Sequence, residues 1–139
     1  MKKYLALLVA VLLVVTGCGE KKLTCTMDDE SGSEKMVYTF NKDNVATKVD
    51  ATMTSKFDTE LSKEEQESYK SLLDTMCALY DGDAYKCSVD VSAKEYSLTI
   101  TMDINKMTAE EKEEAGYTEK EATYDYLKEN LEESGYTCK

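Results

Sequence analysis

Five cysteines carry the most reactive chemistry this chain offers: Cys18, Cys25, Cys77, Cys87 and Cys138. A cysteine can serve as a thiolate nucleophile, a metal ligand, half of a disulfide or an attachment point for lipid, and spacing narrows the choice. No C-x-x-C pair occurs, so the arrangement that lowers a thiol pKa for redox exchange, or seeds a structural zinc site, is missing. The chain also lacks His, Arg, Trp and Pro. Without imidazole and guanidinium, an enzyme built from it would have to use carboxylates, lysines, tyrosines or thiols.

Carboxylates are abundant, and two short clusters are dense enough to weigh as cation loops. "DDESGSE" (Asp28 to Glu34) and "DGDAY" (Asp81 to Tyr85) both lack the alternating ligands, central glycine and twelfth-position glutamate of an EF-hand. Each reads as a polar turn, and "EEKEEAGYTEKEA" as a solvated helical surface. No spacing singles out two acids as a hydrolytic pair. A carboxylate-based envelope enzyme and a weak divalent-cation binder therefore stand as the alternative readings. The cation reading requires thermal stabilisation by millimolar calcium that disappears when Asp81 and Asp83 become asparagine. No metal site and no cofactor is assigned.

Cys18 is set apart by what precedes it. Lys2 and Lys3 lead into an apolar stretch from Tyr4 to Val15, well short of the ~20 residues that span a bilayer. A basic start, a short apolar run and the small pair Thr16 and Gly17 have the layout of a secretory signal over residues 1–17. "VVTGC" resembles the lipobox of bacterial lipoprotein signals, which implies lipidation of Cys18 on sulfur and cleavage in front of it. A thioether-linked diacylglycerol supplies two acyl chains, and at about 0.8 kcal/mol per buried methylene two chains are what stable anchoring needs. Residues 18–22 then form the lipidated start and a short tether, and 23–139 a single domain at the extracytoplasmic face of the cell membrane.

Charge restricts the partners of that domain. Removing residues 1–17 takes two of the 17 lysines and none of the 28 acids, leaving 15 against 28, a net charge of −13. Nucleic acid is excluded as a partner because phosphate binding relies on a basic surface. The expected partners are the membrane, through the lipid, and a protein, peptide or small molecule.

The elements that position these residues are legible from periodicity. "LTCTM" alternates with Leu23, Cys25 and Met27 on one side, "KMVYTFN" with Met36, Tyr38 and Phe40, and the run from Val45 to Phe57 with Val49, Ala51 and Met53. Short polar turns between them predict an antiparallel meander. Ser62 with Glu65 makes a capping box, and Tyr69, Leu72, Leu73, Met76, Cys77 and Tyr80 recur at helical spacing, which predicts a helix over Lys63 to Tyr80. "YKCSVDV" and "YSLTITMDI" form a second hairpin. Thr108 with Glu111 caps a short helix, Thr118 with Glu121 another, and Gly135 is placed at a left-handed C′ position. The sum is an α+β fold, about five antiparallel strands with two main helices packed on one face.

Four cysteines remain after Cys18, an even number that favours disulfides in an exported domain. Cys77 ends the long helix on its apolar face and Cys87 lies on the inward face of the next strand, so these two pair, and Cys25 joins Cys138 by elimination. The outward face carries Thr47, Lys48, Asp50, Thr52 and Thr54, the candidate partner surface of a non-enzymatic binding module.

The order of these pieces has a counterpart. The lipobox, "YTFNKDNVATKV", the long strand ending near Phe57, "LSKEEQESYKSLLDTMCALYDGDAYKC" and "YSLTITMDINKM" together resemble the YehR-like family of small bacterial lipoproteins, a domain of unknown function. The resemblance implies an α+β lipoprotein at the cell envelope and supplies no catalytic residue. The paired inner cysteines are outside that family's pattern.

Overall fold

A computed structural model describes residues 20–139; the leader 1–17 and Cys18 lie outside the described residues. Six strands form one antiparallel sheet: β1 (Lys21–Asp28), β2 (Gly32–Phe40), β3 (Ala46–Lys56), β4 (Tyr85–Val91), β5 (Glu95–Asp103) and β6 (Thr137–Cys138). Three α-helices accompany it, α1 (Lys63–Ala78), α2 (Ala109–Glu114) and α3 (Tyr124–Glu133), with a 3-10 turn at Ile104–Lys106. Among the described residues no helix is long and apolar enough to cross a membrane.

The α+β architecture agrees with the alternation of the sequence, and β1, β2 and β3 form the expected meander. The strand order β4-β5-β3-β2-β1-β6 places the second hairpin beside β3 and adds a sixth strand to the five expected. Thr137–Cys138 is too short to show alternation. It joins the edge of β1 through paired bonds between Thr24 and Lys139 (2.9 and 2.8 Å) and the bridge of Cys25 to Cys138. Lys21 and Lys22, expected in the tether, already pair with Phe40 and Thr39.

Local chemistry explains most boundaries. Two of the three expected caps form as capping boxes, Ser62 with Glu65 at α1 and Thr108 with Glu111 at α2. The third does not. Thr118 bonds the Glu121 side chain instead, and α3 starts only after Thr123, because Ala122 gives its carbonyl to the Ala46 N–H (2.8 Å) and its side chain to the core. Gly135 takes the left-handed conformation (φ 98°), with Tyr136 N–H returning to the Leu131 carbonyl and Gly135 N–H to that of Glu132, the Schellman arrangement. Gly32 is required for another reason: a Cβ there would lie 2.0 Å from the Thr54 carbonyl oxygen.

The core occupies one half of the inner face. Leu23, Cys25, Tyr38, Phe40 and Val49 on the strands are covered by Ile104, Met107, Ala122 and Leu127. The other half, formed by Ala51, Met53, Leu98 and Ile100, is covered less completely: none of these residues is buried, and Met53 is 39% exposed.

Candidate functional site

The five residues of the candidate partner surface lie along β3. A shift in register opposes Phe40 to Ala46 and Thr39 to Lys48, leaving Thr47 as the extra residue of a β-bulge. A bulge keeps two successive side chains on one side, so Thr47 joins Lys48, Asp50, Thr52 and Thr54, while Ala46 and Val49 both turn inward and are buried. Strict alternation from Val45 breaks at this point.

The row is bonded mainly to its neighbouring strands. Asp50 accepts from Thr101 (2.7 Å) and pairs with Lys48 (3.2 Å), Thr52 and Thr99 hydroxyls meet at 3.2 Å, and Thr47 donates to the Thr39 carbonyl (3.2 Å). Such cross-strand pairs stabilise a sheet by a few tenths of a kcal/mol each. The open face is therefore a threonine-rich polar plane in which Thr47, Lys48, Asp50 and Thr52 already hold partners, and a ligand that uses these four must exchange one bond for another.

The acidic clusters act in turns. Asp29 accepts from the Ser31 hydroxyl and from the Ser31 and Gly32 N–H groups, which hold its carboxyl below the usual range. Glu65, bonded back to Ser62, is held low for the same reason. Both shifts run opposite to the raised pKa of a general acid. Asp81 accepts from the Cys87 N–H (3.2 Å) and fixes the turn between α1 and β4. Among the described residues no three Cys, Asp or Glu side chains are grouped to hold a metal ion.

Three tyrosines have perturbed phenols. Burial pushes up Tyr38 and Tyr117, whose rings meet edge-on at 6.5 Å over the core. Tyr136 donates to Glu34, and that bond, foremost, holds its pKa up to about 12 from 10. A phenol raised in the folded state stabilises the fold fully below pH 10, and the contribution disappears as pH climbs toward 12. Tyr136→Phe should therefore flatten the fall in stability across that window and delete one late step from the phenolate absorbance titration. Loss of a step near the ordinary phenol value of about 10 instead would mean that Glu34 does not hold the phenol.

All four inner cysteines are paired, Cys77 with Cys87 ten residues on, and Cys25 with Cys138 across 113 residues. The first bridge fixes the rotation of α1. Cys77 points to the edge strand β4, whereas Tyr69 leans inward on Phe57 (5.1 Å) and Tyr96 of β5 (5.6 Å). With a turn of about 100° per residue, Leu72, Met76 and Leu79 lie further round in that inward direction. The expected apolar face of α1 is thus only partly used: Leu72 is 59%, Met76 50%, Leu79 82% and Tyr80 61% exposed. This exposed stripe was not legible in the sequence. The one available signal is that its apolar arc is wider than one edge of a sheet can cover.

No protein-family model, curated protein or solved structure matches the chain.

Proposed function

We propose that the chain is a lipid-anchored, extracytoplasmic lipoprotein that works as a non-enzymatic binding module at the cell envelope. The observation that carries this reading is the cysteine arrangement: four inner cysteines pair off, and the fifth, Cys18, follows a short apolar leader in a lipobox-like context. Paired cysteines belong to oxidising compartments, which is where a lipoprotein signal delivers its cargo. Kinship with the YehR-like lipoproteins is part of the same proposal, supported by the order of elements. The row Thr47, Lys48, Asp50, Thr52 and Thr54 is the surface proposed to meet a protein, peptide or small-molecule partner.

Metabolic labelling with a fatty acid tests the anchor. The unaltered chain should take up label and fractionate with membranes, while Cys18→Ser should lose the label and accumulate at precursor mass. A Cys18→Ser chain that still reaches mature mass at the membrane overturns the reading.

A further inference from the structure

The exposed tip of α1 and the start of β1 lie at the same end of the sheet. Lys22 pairs with Thr39, Thr39 with Lys48 and Lys48 with Asp103, whose N–H bonds the Ala84 carbonyl. That line crosses the sheet from the beginning of β1 to the beginning of β4. Helix α1 runs back toward this line, since the segment before it is bonded to the far end at Phe57 with Lys94 and Leu61 with Ala93, and its last turn is bridged to Cys87. Leu79 and Tyr80 therefore project at the end from which the chain leads back to Cys18. Four strand spacings, about 19 Å, separate the two points.

We infer that this end is a membrane-contact surface, in which Leu79 and Tyr80 enter the interfacial layer of the bilayer that holds the lipid of Cys18. The inference rests on the anchor proposed above. Cys18 precedes Lys21 by three residues, a stretch that cannot exceed about 11 Å, so an anchored domain is held with this end against the headgroups. An exposed leucine beside a tyrosine is the composition that such a layer accepts, apolar surface entering and the phenol remaining at headgroup level. The arrangement is also rigid. The Cys77 bridge, the Asp81 bond to Cys87 and the Gly82 N–H bond to the Tyr85 carbonyl prevent the tip from folding under the sheet.

Charge favours a lipid surface over a second copy of the chain. The opposite end presents Asp28, Asp29 and Glu30 at one hairpin and Asp58 and Glu60 before α1, beside Lys56 and Lys94, and at the anchor end Lys21, Lys22, Lys42, Lys48 and Lys106 stand among Glu20, Asp43, Asp81, Asp83 and Asp103, with Lys106 paired to Asp103 and Lys48 to Asp50. A domain of net charge −13 is repelled by its own copy and by anionic headgroups. A zwitterionic bilayer, which carries no net charge, does not repel it.

The chain contains no tryptophan, so single-indole variants report without background. The full lipidated chain, as Leu79→Trp or as Glu30→Trp at the far hairpin, is reconstituted into zwitterionic phosphatidylcholine vesicles with brominated acyl chains. The Leu79→Trp emission should shift to the blue on reconstitution and be quenched several-fold more than that of Glu30→Trp. Equal, weak quenching in protein that floats with the vesicles overturns the contact and leaves the anchor standing. Protein that neither floats nor quenches overturns both. A blue shift of Leu79→Trp that grows with protein concentration in detergent without vesicles assigns the tip to a second copy and overturns the inference.

Discussion

Replacing both Cys25 and Cys138 by alanine should lower unfolding free energy by about 4 to 5 kcal/mol, measured by urea denaturation against the unaltered domain. The bridge closes a loop of 113 residues, and in the chain-entropy account a loop of about 100 residues restricts the unfolded ensemble by about 4.7 kcal/mol. That is about 30% or more of the 5 to 15 kcal/mol typical of a whole domain. The native side loses too, because β6 has two residues and, among the described residues, β1 is its only hydrogen-bonded neighbour strand. The denaturant slope should rise as well, since an unfolded chain freed of its longest cross-link exposes more surface. A loss below about 2 kcal/mol, outside the usual cost of a native bridge, would mean that the two sulfurs do not constrain the unfolded chain. The Cys77 to Cys87 bridge spans ten residues, and its removal should act mainly on α1, detaching the exposed tip while the core stays folded.

These contrasts show which parts of the molecule the sequence makes legible. Alternation identifies five strands because each is long enough to repeat and buries one face only. Two of three capping-box patterns mark real helix starts. The third, Thr118 with Glu121, has the same letters but yields to a tertiary bond from Ala46 to Ala122. The bulge at Thr47 leaves no local signature: its effect is a change of phase that appears only when Ala46 and Val49 are both found inside. For the candidate sites the same limit applies. Residue types nominate Cys18 and the threonine row as candidates, but the exposure of Leu79 depends on how much of α1 a single edge of the sheet covers, a quantity that helical spacing does not contain.

Phe40→Ala should cost about 3 to 5 kcal/mol, the range for removing a buried aromatic ring. Phe40 is the largest wholly buried side chain, 1% exposed, with its ring edge-on to Tyr124 at 5.2 Å and tilted against Tyr38 at 6.4 Å. Lys21 covers the outer side of the same cluster, its ammonium 3.6 Å from the centre of the Tyr124 ring, so the cavity would open directly beneath the start of β1. Leu79→Ala, by contrast, removes a side chain that is 82% exposed and should change stability by no more than about 0.5 kcal/mol. If the two substitutions cost the same, the division between core and exposed tip would be wrong. Phe40 and Cys25 are four residues apart along paired strands, about 13 Å, far enough for their effects to add within about 0.5 kcal/mol. Combining Phe40→Ala with loss of the long bridge removes about 8 kcal/mol in all, which exceeds the lower end of the range of about 5 to 15 kcal/mol for a domain. The triple variant should therefore be largely unfolded in the absence of urea, with α1 still tied to β4 by its own short bridge.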